Sequence, residues 1–233
     1  MSNETYEIRM KKEFELLQKL QRHPSVNNDT IKITIQYKDS RSGKYKSVLE
    51  NPSSAFWPTD FRVTYKMPMY VGPGQLKRDW EATFLFSISE STLMNPSSDV
   101  NPNIEGGCFT SGSVPYHNHV SQNGTWFCHG GAWHAAQQGY GIWYFIIAMG
   151  SILNMDRGFV VEGENAGHHL NHNAYLFWKD QRNMQPVSNI NWPYNLPDKP
   201  SFGGSTGQKS KFSFVKAEQK EKTKPTFSFG PKN

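Results

Sequence analysis

The chain is poor in cysteine and has no hydrophobic run long enough to cross a bilayer. Two thiols in 233 residues cannot build the disulfide framework that staples small secreted domains. The longest apolar stretch, Ile142 to Leu153, is interrupted by Gly150 and Ser151 and falls well short of the ~20 apolar residues a spanning helix needs. Met1-Ser2-Asn3-Glu4-Thr5 has neither the basic start nor the apolar core of a secretory leader. The expectation is a soluble protein of a reducing cytoplasm with no membrane partner, in which the sequon Asn123-Gly124-Thr125 is a chance match. A basic stripe on a folded face is lacking too. The formal charge of +5 comes from 25 basic and 20 acidic residues, yet Lys209, Lys211, Lys216, Lys220, Lys222 and Lys224 stand together against only Glu218 and Glu221. Part of the positive charge therefore belongs to the C-terminal stretch, and nucleic acid is not the expected partner.

What is present suffices for one domain of ordinary size, with aromatic residues (14%) to fill its core. Residues 5–22 predict an amphipathic helix. Met10, Phe14 and Leu17 recur at helical spacing, Leu16 and Leu20 widen the apolar face, and Pro24 ends it. Ile31 to Tyr37 alternates with period two and predicts a strand, followed by a turn at 39–43. Phe61 to Met69 and Trp80 to Ser89 predict two more strands, and residues 91–115 a long loop rich in Ser, Asn, Pro and Gly. A second, almost wholly apolar helix is expected over Ile142 to Leu153, and a third over Leu170 to Gln181 with Asn171 as its cap. Helix, antiparallel meander, irregular loop and later helices make an α+β architecture. Residues 1–200 read as the folded domain. Residues 201–233 lose all periodicity and read as a disordered tail, in which Phe212-Ser213-Phe214 recurs as Phe227-Ser228-Phe229.

The chemistry concentrates in the run from Tyr116 to His134. It holds His117, Asn118, His119, then Gly124, Cys128, His129, Gly130, Gly131, Trp133 and His134. A thiol acts through its thiolate, which neighbouring cationic or hydrogen-bonding groups favour, so a lone Cys among His and Asn residues is a candidate nucleophile. Cys108, beside Gly106 and Gly107 with no His nearby, reads instead as a small buried hydrophobe. His168, His169 and His172 read as capping or surface residues of the late helix.

The order of these features resembles the ubiquitin-conjugating enzyme (UBC) family, particularly its divergent bacterial branch. Arg9-Met10-Lys11-Lys12-Glu13-Phe14-Glu15-Leu16-Leu17 looks like the family's first helix. Tyr116-His117-Asn118-His119-Val120 is similar to its tyrosine/His-Pro-Asn/aliphatic segment, Gly124 to Cys128 to its active-site stretch, and Trp133 to the tryptophan that follows. Leu170-Asn171-His172-Asn173-Ala174-Tyr175 is similar to the start of a late helix, so the likeness spans roughly residues 5–182. Two departures stand out. The proline is missing, with His119 at the position of the family's asparagine and Asn118 one residue earlier, and the interval from Gly124 to Cys128 is one residue longer.

The resemblance implies a UBC-like fold with an N-terminal helix, a four-stranded antiparallel meander, a long active-site loop and C-terminal helices. It also implies an acyl carrier without metal or cofactor. Cys128 would accept the C-terminal glycyl group of a ubiquitin-like modifier from an activating (adenylating) enzyme and pass it to an acceptor protein. A deconjugating peptidase would be a further partner, and bacterial kin link such systems to antiphage defence. Asn118 or His119 would donate to the developing oxyanion, with His117 in the same segment, while His129 or His134 would tune the thiol or deprotonate the acceptor. Two other classes stay open. His117, His119, Cys128, His129 and His134 are zinc-type ligands, although their spacing fits no standard finger, and a catalytically silent UBC-like module would only bind partners.

Overall fold

Period-two burial turns the expected strands into a sheet with one dry face. In the computed structural model, residues 5–52, 57–94, 103–108, 112–129, 132–136, 141–156, 170–180, 186–194 and 196 are described, with backbone alone for 103–108, 134–135 and 179–180. Helix α1 (Tyr6–Arg22) leads through a short 3-10 turn (Pro24–Val26) to β1 (Lys32–Lys38) and β2 (Tyr45–Ser47). Then come β3 (Asp60–Lys66), the small hairpin β4 (Met69–Gly72) and β5 (Gln75–Lys77), β6 (Glu81–Ser87), α2 (Glu90–Met94) and β7 (Asn103–Cys108). Helices α3 (Ala132–Ala135), α4 (Ile142–Leu153) and α5 (His172–Asp180) follow.

Strands β1, β3, β6 and β7 form an antiparallel meander, and the three-residue β2 adds a fifth strand at its edge. Ile33, Ile35 and Tyr37 of β1, Phe61, Val63 and Tyr65 of β3, and Ala82, Phe84 and Phe86 of β6 all point to the buried face, since alternate side chains of a strand share a side. Helices α1 and α4 complete the core. All 12 residues of α4 are buried, and the Tyr65 hydroxyl donates to the Ile146 carbonyl at 2.7 Å, tying sheet to helix. Burial raises the Tyr65 pKa well above the usual phenol value.

Two expectations are corrected. Residues 91–115, expected as one long loop, contain most of α2 and all of β7, and β7 pairs with β6 despite its Gly-Gly pair. The strand expected over 61–69 stops at Lys66, and a separate hairpin begins at Met69. The third helix starts at His172, and the Asn171 side-chain oxygen accepts from the Ala174 N–H at 3.0 Å, which makes it the expected cap. The 201–233 tail, with its lysines and both Phe-Ser-Phe motifs, lies outside the described residues.

A buried charge fixes the entry to α4. Glu13, fully buried on α1, pairs with Arg9 at 2.8 Å, and its other oxygen accepts from the Ile142 N–H at 2.8 Å. A carboxylate at a helix N-terminus satisfies a free donor and opposes the positive end of the helix dipole. Gly141 makes the approach possible, with φ at +87° and a would-be Cβ only 2.5 Å from the Glu13 oxygens.

Candidate functional site

A tight hairpin carries the Cys128 segment. Val120 and Phe127 form an antiparallel bridge, and the Cys128 N–H donates to the His119 carbonyl at 2.8 Å. Further out, the Ser121 N–H donates to the Trp126 carbonyl at 2.9 Å, and the Gly124 N–H to the Ser121 carbonyl at 2.8 Å. Gly124 turns the chain at φ +72°. The Asn123 side-chain oxygen gathers three donors, the Thr125 N–H (3.1 Å), the Thr125 hydroxyl (2.7 Å) and the Ser121 hydroxyl (2.7 Å). Phe127 drops into the core against Phe84, ring centres 5.1 Å apart, whereas Trp126 stands out at 71% exposure. Asn123-Gly124, read in the sequence only as a sequon, is a strong hairpin signal that identifies this turn.

The two histidines of the preceding segment do different work. His117 is buried at 1% exposure, and its Nδ1 accepts from the His119 N–H at 3.0 Å. Nδ1 is therefore unprotonated, so Nε2–H donates to the Ile152 carbonyl at 2.7 Å near the end of α4. Burial, helped by the neighbouring His119, lowers the His117 pKa to about 3, against the pull of the Ile152 carbonyl. His117 is a neutral strut between the loop and α4. His119, 6% exposed, reaches across the hairpin instead, its Nδ1–H donating to the Cys128 carbonyl at 3.0 Å. Both backbone polar groups of Cys128 are thus bound to His119, one by its carbonyl and one by its ring.

Asn118 is 2% exposed, and its Oδ1 has no hydrogen-bond partner among the described residues. Its carbonyl is engaged, accepting from Leu170 N–H (3.0 Å) and Asn171 N–H (3.3 Å), which docks the start of α5 on the loop. Cys128 is a free thiol of intermediate exposure. His129 packs edge-on against Phe145 with ring centres 5.5 Å apart. The side chains of His134 and Cys108, and residues Gly130, Gly131, His168 and His169, lie outside the described residues. His172 is exposed on the first turn of α5, its ring 6.1 Å from Tyr175. Among the described residues, no group of three His, Cys, Asp or Glu side chains is placed to hold a metal ion. His117 also has both ring nitrogens committed to backbone groups.

Two tryptophans brace the segment leading into the site, a role the local sequence does not disclose. Trp80 Nε1–H donates to the Ser113 carbonyl at 3.0 Å, and Trp178 Nε1–H to the Tyr116 carbonyl at 2.9 Å. The Tyr116 N–H closes the set by donating to the Tyr70 carbonyl at 2.7 Å. No helix among the described residues is long and apolar enough to cross a membrane. No known protein family, curated protein or solved structure matches the chain.

Proposed function

We propose that the chain is a UBC-like acyl carrier that holds a ubiquitin-like modifier as a thioester on Cys128. The observation that carries this reading is the setting of Cys128. It is a free, partly exposed thiol at the end of a locked hairpin, with its own N–H and C=O both held by His119. A carrier needs an accessible sulfur on a rigid base rather than a deep pocket, because the acyl group arrives and leaves with other proteins. The order of α1, meander, hairpin, α4 and α5 is the order the resemblance implies.

In the charging step the Cys128 thiolate attacks the modifier's C-terminal carbonyl carbon, bound as a thioester to the activating enzyme. A new C–S bond forms and the activating enzyme's thiolate leaves. In discharge an acceptor amine attacks the same carbon, forming C–N and breaking C–S. The Cys128 thiolate is regenerated and the amine's proton passes to a base or to water. His119, which positions the Cys128 backbone, and Asn118, the residue before it in the chain, are the proposed source of oxyanion support.

Incubation with the cognate activating enzyme, ATP and modifier tests the reading. A reductant-sensitive adduct is expected, lost in Cys128→Ala and retained in Cys108→Ala. An adduct that persists without Cys128 refutes the assignment.

A further inference from the structure

A concavity lies beside the hairpin, and its chemistry is unlike that of the thiol site. It has a volume of 510 Å³, within the range of ligand-binding clefts, and among the described residues none of the nine lining it carries a formal charge. Its polar wall is built of carboxamides: Gln75 at the start of β5, Gln122 in the hairpin turn and Asn173 in the first turn of α5. None of these three amides makes a hydrogen bond among the described residues, so their donors and acceptors face the groove or solvent. The apolar floor includes Val71, Val114 and Tyr116.

Two details set this groove apart from an ordinary solvated surface. The pairing of β4 with β5 shifts register between Tyr70 and Gly72, so Val71 has no residue opposite it on β5. Beside it, Gln75 is folded back over Gly72. Its Oε1 lies 3.0 Å from where a Cβ of Gly72 would stand, so the amide rests directly against the glycine. The adjoining strip 113–116 is pinned at Ser113 and Tyr116 by Trp80, Trp178 and Tyr70, which leaves the peptide groups of Val114 without hydrogen bonds among the described residues.

We infer that this groove binds an extended, uncharged segment of a partner polypeptide. Each carboxamide offers both a donor and an acceptor, which matches the alternating N–H and C=O of a peptide backbone. The unpaired peptide of Val114 offers the same pattern from the protein's own chain, as when a strand is added to an exposed edge. A phosphate or carboxylate would find no cation among the described lining residues, and a charged side chain would be desolvated there with no counter-ion among them. Gln122 lies in the hairpin that ends at Cys128 and Asn173 in the helix docked on Asn118, so an occupant lies against the scaffold of the thiol site without needing the thiol.

The probe is a pool of N-acetylated, C-amidated hexapeptides made of Gly, Ala, Ser, Thr and Val, with companion pools carrying two Asp or two Lys. Each is titrated into the full ¹⁵N-labelled chain bearing Cys128→Ser, and the side-chain amide signals are followed. The neutral pool is expected to shift the Gln75, Gln122 and Asn173 amides, and the charged pools to bind about tenfold or more weakly. Gln75→Ala, which removes one of the three amides, and Asn173→Arg should each weaken the neutral pool about tenfold at unchanged Tm. No shift up to millimolar peptide, equal binding of the charged pools, or shifts that survive both substitutions would overturn the inference. Because the test is run without the thiol, failure of Cys128 to charge leaves it standing, and its own failure leaves the carrier reading untouched.

Discussion

Glu13→Ala is the substitution for which the structure sets the sharpest expectation. The carboxylate is fully buried and binds the Arg9 guanidinium at 2.8 Å and the Ile142 N–H at 2.8 Å. Its loss strips the first turn of α4 of its acceptor, and an unsatisfied buried donor costs about 1–3 kcal/mol. It also takes the carboxylate from a guanidinium that is itself 7% exposed, and breaking a buried ion pair from one side costs about 3–5 kcal/mol. The two costs share the same atoms, so they overlap, and about 3–5 kcal/mol is expected in total. For a domain of this size each kcal/mol moves Tm by about 2–4 °C, giving a drop of roughly 6–20 °C. Urea unfolding at pH 7 with an unchanged m-value measures the free energy directly. Arg9→Ala and the double variant complete the cycle, and a coupling of about 0.5–3 kcal/mol is expected because the residues touch. A Glu13→Ala loss below about 1 kcal/mol would refute the reasoning, since that is the value of an exposed pair.

Substitutions at three further positions have defined outcomes. His117 has its folded pKa lowered from 6.5 to about 3, so the folded state binds fewer protons than the unfolded one. Its contribution is fully present above about pH 6.5 and declines by about 1.4 kcal/mol per pH unit as the pH falls toward 3. Stability curves for the parent and His117→Gln should therefore converge at low pH, and parallel curves would contradict the buried neutral ring. His119→Ala removes the donor to the Cys128 carbonyl and is expected to slow thioester discharge by about 100-fold. His119→Asn, which can keep an N–H there, should recover most of that rate, and equal rates for both variants would make the ring a packing element only. Gly150→Ala places a Cβ 2.5 Å from the Trp192 ring, and overpacking of this kind is expected to cost about 1–3 kcal/mol in thermal unfolding.

Much of the frame is legible because it rests on local periodicity. Helices α1 and α4 and strands β1, β3 and β6 each carry an apolar pattern that only one kind of element satisfies, and each forms within a residue or two of where the pattern places it, except at the C-terminal end of β3, which stops three residues early. Strand β7 escapes that logic. Asn103-Ile104-Glu105-Gly106-Gly107-Cys108 shows no sustained alternation, and the strand exists because β6 offers it an edge to pair with. The hairpin β4–β5 is missed for a related reason, being only four and three residues long with a register shift inside it. At the site, the cluster of histidines around Cys128 is plain in the sequence, but the division of labour among them is not. The partner of His117 lies 35 residues away at Ile152, and the indole that holds Tyr116 lies 62 residues away at Trp178.

That division bears on which groups could take part in chemistry. A ring that accepts from one backbone group and donates to another cannot also shuttle a proton without breaking both bonds, so His117 is spent on structure. His119 holds the backbone of Cys128 from both sides, through its carbonyl and its ring Nδ1–H. What the polar run supplies to the thiol is therefore first of all a fixed position, from two sides of one hairpin. A scaffold of this kind predicts an order of losses that a set of proton-transfer groups does not. Loosening the hairpin at its far end, by Asn123→Ala, removes the acceptor of three hydrogen bonds without touching any histidine. If position is what the loop contributes, that remote change should slow transfer from Cys128 by about 10- to 100-fold while leaving the pH dependence of the rate unchanged. A rate equal to the parent's would show that the locked turn is irrelevant to the sulfur, and a shifted pH profile would return the histidines to a chemical role.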